Sequence, residues 1–488
     1  MLRALPAHQW NYSTAAHLLN RAAFGGSPSE IQRLADMGPV RAVDSLVGFD
    51  PRPETSAPLE WTRADPQERF KRLRELREAE PQKRRELTQM EARNQRQRAV
   101  ELRHWWLERM AGGDRPLQEK LALFWHGHFA TSVIKVKDAT LMWRQNDIFR
   151  RHGAGNWLTL LQQVSKDPAM LMWLDQAQST RRQPNENFAR EVMELFALGE
   201  GNYTERDVTE AARAFTGWSF ERGTQEFVFR AQAHDPGTKT VLGQSGAFTG
   251  DDVLRIITSH PQSARFITAK VWNFFVGENP GEALVNALAA RFQASKLEFK
   301  PLLRAIFMSE EFYAPSVIRN QVKSPVQWLI SSIRLLERPL PPPQLSGNAL
   351  RQLGQELLAP PNVKGWDGGL AWITTNNLLN RYNFSAYLVM GENPMIPKAG
   401  KGKKPSGARQ RPFRPGGGVN VAKLFTAEER ATKPRLVAAL EKRFIQGQLK
   451  AKQRQALTDY LDGLGALDDA DVLHAIRLVM STPEFQLA

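Results

Sequence analysis

Most of the chain places its apolar residues at helical spacing. Ser27-Pro28-Ser29-Glu30 supplies a cap, a first-turn proline and a glutamate three residues after the cap, predicting a helix that ends at Met37-Gly38. Leu117, Leu121, Phe124 and Trp125 recur along 115–126, and Gly127 is the expected stop. Thr204 and Asp207 form a second capping box that opens a helix over 205–216. Residues 187–198 are apolar around most of the helical circumference, which predicts a buried helix with a narrow polar stripe of Asn187, Arg190, Glu191 and Glu194. Period-two alternation is confined to Phe227 and Phe229, after which Asp235-Pro236-Gly237 turns and 238–242 returns, a short β-hairpin. The fold class expected is mainly α, a large multi-helical domain with a small β-hairpin.

Between Asp65 and Met110 the pattern changes. This stretch is dense in Arg, Glu, Gln and Leu, breaks at Pro81, and carries only thin stripes (Phe70, Leu73 and Leu76, then Leu87 and Met90). It reads as a projecting, charged helical hairpin inserted over 61–112 of a main helical domain spanning 1–392. Residues 393–420 are rich in Gly and Pro, lack apolar periodicity and read as a basic linker. The final 421–488 regains helical period and should pack back on the body.

Charge matters once it is located. The chain has 488 residues and a formal net charge of +15. The linker contributes +7 and residues 61–120 contribute +5, so the rest is nearly neutral. An anionic polymer is therefore a candidate partner of the linker, and a solubilising tether is the plainer reading. The absence of cysteine excludes disulfide frameworks, zinc knuckles and thiol nucleophiles. No apolar run approaches a membrane span. The N-terminal stretch lacks an apolar core followed by a small-residue cleavage site, which points to the cytoplasm, with co-export to the periplasm as the alternative.

Candidate chemistry lies in four places. Glu191 and Glu194, beside Arg190 and Asn187, form either a structural ion-pair network through the i,i+4 pairs Glu186–Arg190 and Arg190–Glu194, or the catalytic lining of a polar cavity. His126 and His128 converge on one side only if the backbone at Gly127 is extended, and otherwise cap a helix end. His234 and Asp235 follow the strand, Asp235 also serving as a turn initiator. Three histidines and a carboxylate would suit a divalent metal ion (Zn, Mn or Fe) that activates water, with Glu191 or Glu194 as ligand or general base. Trp366, Trp372 and Lys364 of a glycine-rich loop, with Lys239, are candidate substrate contacts, while core plugging is the alternative for the tryptophans. No H-E-x-x-H helix, P-loop, dinucleotide glycine pattern or G-x-S-x-G elbow is present.

Ordered motifs along nearly the whole chain resemble one bacterial family, the domain of unknown function 1800 family. They are His17 to Gly25 (HLLNRAAFG), Phe124 to Ser132 (FWHGHFATS), Asn185 to Leu195 (NENFAREVMEL), Tyr203 to Val208, Phe215 to Trp218, His234-Asp235, Lys239, Leu242-Gly243, and Asn362 to Trp366 with Trp372 and Thr374. The resemblance implies a mostly helical bacterial protein with no established activity, and a sulfatase-like protein as a partner. Some members carry His where this chain has Phe196, which removes one potential ligand here. Two functions stand side by side: a metal-assisted hydrolase with a buried His/Glu site, or a non-catalytic accessory protein that docks a partner or an anionic polymer.

Overall fold

Local caps set many of the helix boundaries. The Ser27 hydroxyl accepts the Glu30 amide while the Glu30 carboxylate accepts the Ser27 amide, and the helix Pro28–Met37 follows. Thr204 and Asp207 do the same for Glu205–Phe215. The computed structural model describes residues 2–50, 59–63, 65–391 and 418–488. Among them are 23 α-helices and two two-stranded antiparallel ribbons, a mainly α architecture. No helix among the described residues is long and apolar enough to cross a membrane. The basic linker 393–420 lies outside the described residues except for 418–420.

The chain divides into two compact units. The first comprises Met1–Leu5, Val43–Phe312 and Glu356–Asp367. Its centre is an aromatic stack: Trp125 lies 5.9 Å from Trp157 and 5.1 Å from Phe299, and Phe129 lies 6.1 Å from Phe149. Trp125 donates its indole N–H to the Gly153 carbonyl at 2.9 Å, and a Cβ at Gly153 would sit 2.6 Å from that ring. Beside the stack Glu119 is fully buried. It accepts from Trp106 at 3.1 Å, Arg109 at 3.4 Å and Arg150 at 2.7 Å, tying Pro81–Gly112, Pro116–His128 and Ala139–His152 together.

The charged hairpin forms as Pro66–Glu78 and Pro81–Gly112, with the break at Pro81. It is not free-standing, however. Arg69 pairs with Asp138 at 2.8 Å and donates to the Arg222 carbonyl. The tip of the Phe70 ring abuts Gly223, where an added Cβ would come within 1.9 Å of it. These residues are among those that line a cleft between the first hairpin helix and the body.

Two sequence expectations are corrected. Strand Phe227–Phe229 pairs with Trp218–Phe220 rather than with 238–242, because the buried Trp218 brings its own strand alongside. Lys239–Val241 instead pairs with Gln244–Gly246 across Leu242 and Gly243, both at positive φ (48° and 78°), the two-residue turn whose twist suits a hairpin. The helix expected to end at Gly127 continues to His128, with Phe129 closing it onto the Trp125 carbonyl.

The second unit comprises Pro6–Ala42, Tyr313–Gln355 and Gly368–Ala488. Buried Arg21 donates to Gln321, Asn320 and the Val317 carbonyl at 2.6–2.9 Å. Asp469–Met480 packs against Thr375–Met390. Buried Lys323 donates to the Phe485 carbonyl at 2.8 Å. Trp372 belongs to this unit and is 7% exposed.

Because Arg150 is buried against Glu119, Glu119→Leu leaves an uncompensated cation. The expected cost is about 3–5 kcal/mol in urea unfolding, and a change within 0.5 kcal/mol would show that the three-helix tie is not a stabilising feature.

Candidate functional site

His126 and His128 lie on the helix Pro116–His128, so their side chains leave the axis about 200° apart and cannot converge. The extended backbone that convergence requires is absent. Each imidazole instead holds a different segment. Nε2 of His126 accepts the Leu358 amide at 3.0 Å, and the ring meets Trp106 at 5.4 Å and Trp366 at 5.5 Å. Nε2 of His128 lies 2.9 Å from the Phe196 carbonyl and donates to it. Burial and the neighbouring Arg103 push His126 down to about 3. Burial and Lys270 push His128 down to about 3 against the opposing pull of the Phe196 carbonyl. Both rings are therefore neutral, in opposite tautomers, one presenting a lone pair and the other an N–H.

His126 anchors the segment Glu356–Asp367. Arg103 donates to the Leu357 carbonyl at 2.7 Å and pairs with Glu356 at 3.0 Å, while the Val133 amide donates to the Leu358 carbonyl at 2.8 Å. Gly365, at φ 81°, crosses the helix so closely that a Cβ would stand 2.3 Å from the Gly127 carbonyl. This crossing seats Lys364.

His128 holds the other segment. Glu186–Glu191 is α-helical and Val192–Ala197 continues it as a π-helix, with Leu198 and Gly199 both donating to the Met193 carbonyl. The expected i,i+4 pairs Glu186–Arg190 and Arg190–Glu194 do not form, because each side chain is engaged elsewhere. Arg190 binds Glu205 bidentately at 2.7 and 2.6 Å. Glu186 accepts from Thr209 at 2.9 Å, and Glu194 accepts from the Tyr203 hydroxyl at 2.6 Å. Asn187 is exposed, its amide donating to Asn185.

Glu191 is half-buried and its carboxylate has no hydrogen-bond partner among the described residues. Burial and the charge of Glu194 raise its pKa, while Lys364 and Arg190 pull it the other way. Lys364 is exposed and has no carboxylate within salt-bridge distance among the described residues. Glu191, Glu194 and Lys364 thus come together from two segments, each pinned by one histidine of a single helix.

The remaining candidates are placed elsewhere. Nδ1 of His234 lies 3.0 Å from the Thr216 carbonyl. Asp235 accepts from Arg213 at 2.7 and 3.3 Å and from the Gly237 amide at 2.8 Å, and Arg213 holds its carboxyl below the usual range. Lys239 is buried, donating to the carbonyls of Asp235 and Gly237. Trp366 is half-buried against His126. Among the described residues no group of three or more His, Asp or Glu side chains is arranged to hold a metal ion. Tyr203 and Glu205 were missed as site residues, although the capping box places Glu205 at the first helical position, one turn of chain after the carboxylates.

The family model described as a protein of unknown function (DUF1800) matches residues 17–487. No curated protein and no solved structure matches the chain.

Two outcomes follow from the clamp. Both imidazoles are held below their unfolded value near 6.5, so the unfolded chain binds the extra protons. Their contribution is complete above that value and is lost as pH falls towards 3. Each adds a slope of about 1.4 kcal/mol per pH unit across that window. Urea unfolding from about pH 4 to 6 should show a shallower slope, by about that amount, in His126→Gln than in the native chain. Gly365→Ala forces both a positive φ and a backbone collision, and a loss of about 2 kcal/mol is expected by the same measurement.

Proposed function

The chain belongs to the DUF1800 family of proteins of unknown function, and on that premise we propose that it is a hydrolase in which two carboxylates divide the acid and base roles. The observation that carries this reading is Glu191, a half-buried carboxyl raised by burial and by Glu194 and left without a hydrogen-bond partner among the described residues. Carboxylates whose surroundings differ in this way are the pattern that assigns an acid and a base. Glu191 is the proton donor. Glu194, which accepts the Tyr203 hydroxyl, is the base.

The reaction is hydrolysis of a C–O bond. Water adds to the electrophilic carbon and its proton passes to Glu194. The bond to the leaving oxygen breaks as Glu191 transfers its proton to that oxygen, and exchange with solvent restores both groups. Lys364, exposed and close enough to lower the Glu191 pKa, is placed to stabilise negative charge as it develops on the substrate. Arg190 holds Glu205 and fixes the start of the neighbouring helix rather than meeting substrate.

A panel of methylumbelliferyl and alkyl glycosides and esters tests this. Turnover is expected to survive chelation by EDTA. Glu191→Gln should lose about 10²–10⁴-fold in kcat, more for poor leaving groups than for good ones, and should lose the alkaline limb of the pH profile, where Glu191 gives up its proton. Turnover that EDTA abolishes and zinc, manganese or iron restores would replace this reading with a metal-assisted one. No turnover on any member, or an unchanged Glu191→Gln, would overturn it.

A further inference from the structure

The ribbon of Trp218–Phe220 and Phe227–Phe229 leaves one of its edges open. The Arg230 amide donates to the Gly217 carbonyl at 2.8 Å, and the Glu221 amide to the Glu226 carbonyl at 2.9 Å. Between these bonds the register runs Trp218 to Phe229, Ser219 to Val228 and Phe220 to Phe227. Bonded and non-bonded pairs alternate along an antiparallel ladder, so Val228 bonds across to Ser219, while the amides and carbonyls of Phe227 and Phe229 point away from it. No strand among the described residues pairs on that side. Residues 221–235 contain neither proline nor lysine, two of the usual guards of an edge strand.

The side chains along this edge are incomplete in a matching way. Exposed Glu226 stands opposite exposed Glu221, a like-charge cross-strand pair, and exposed Arg230 stands opposite Gly217, which has no side chain to offer. None of the three charges has an oppositely charged group within salt-bridge distance among the described residues. Glu226 and Arg230 lie on one face with Val228 between them, about 13 Å apart along the strand and too far to pair with each other. On the other face Phe227 lies 5.4 Å from Trp218, while Phe229 is 47% exposed.

A second strand of the same sequence, antiparallel about Val228, completes each feature. Phe227 falls opposite Phe229 of the second copy, and Phe229 opposite its Phe227. These are the residues with outward amides and carbonyls on both strands, so each pair exchanges both bonds. Glu226 then falls opposite Arg230 of the second copy, and Arg230 opposite its Glu226, at the closely spaced non-bonded positions. A slip of one residue sets outward groups against inward ones and loses the ladder. A slip of two keeps the ladder and loses both ion pairs.

We infer that two copies of this chain associate through the edge of Phe227–Phe229, antiparallel about Val228, to give a four-stranded sheet. The contact is independent of the Glu191 reading.

Sedimentation equilibrium of the full chain tests this. A reversible monomer–dimer equilibrium in the micromolar range is expected, as suits a short strand and a contact at the small end of specific interfaces. Glu226→Arg and Arg230→Glu each set two like-charge pairs across the dyad and should weaken dimerisation at least about tenfold. Their thermal transitions should not change, since both side chains are exposed. An equimolar mixture of the two variants restores both opposite-charge pairs and should associate as the native chain does. Phe229→Pro removes an outward amide without touching the bonds to Trp218–Phe220, and should leave a monomer. A native chain that stays monomeric at about 100 µM, a dimer that all three substitutions leave intact, or folded charge variants whose mixture fails to associate would each overturn the proposal.

Discussion

A buried imidazole must settle which of its nitrogens carries the proton, and the first unit is organised around two imidazoles that settle it in opposite ways. His126 and His128 sit two residues apart on one continuous helix, so they face opposite sides of it. The lone pair of His126 receives the Leu358 amide, and the N–H of His128 reaches the Phe196 carbonyl. Neither backbone group has a regular helical partner in those roles, and an unsatisfied buried amide or carbonyl costs about 1–3 kcal/mol. Protonating buried His126 would add a buried charge and remove the acceptor, and half-buried His128 is held neutral beside Lys270. Neutrality is thus a condition of the architecture.

The carboxylates inherit their positions from that clamp. A π-helix is uncommon because its hydrogen bonds are poorly aligned, and it persists where surrounding structure holds it. Here the Phe196 carbonyl near its C-terminal end is held by His128. Arg190 turns to Glu205, leaving Glu194 to Tyr203 and Glu191 to solvent on one side and apolar packing on the other.

What was legible in the sequence was local. Ser27 with Glu30, and Thr204 with Asp207, declare helix starts because the cap and its reciprocal partner lie within one turn. Pro81 divides the hairpin because proline cannot continue a helix but suits its first position. The four residues of the polar stripe were legible as a group, since an apolar majority forces a narrow remainder. Their partners were not: Glu205, Tyr203 and Lys364 arrive from other segments. The Gly127 error has the same source. A glycine after an apolar helical pattern resembles a stop, but the helix runs one residue further, to His128, whose ring is engaged by the Phe196 carbonyl. Strand pairing failed where the burial of Trp218 outweighed sequence adjacency of the turn at Asp235.

Folding sorts charged side chains into those that hold the structure and those left open to a ligand, and burial alone does not make the distinction. Asp235 is partly exposed yet fully engaged by Arg213 and the Gly237 amide, and Lys239 is buried on carbonyls, so two residues of promising type are structural. Glu119 with Arg150 is more deeply buried still, and equally closed. Glu191 and Lys364 share the opposite property: each is reachable by solvent and has no ion pair within salt-bridge distance among the described residues. Holding a charge near a low-dielectric wall without a partner costs stability that an opposite charge on a bound molecule would return. By that criterion the half-buried Glu191 beside Glu194 and Lys364 is where the fold of the first unit leaves charge incomplete.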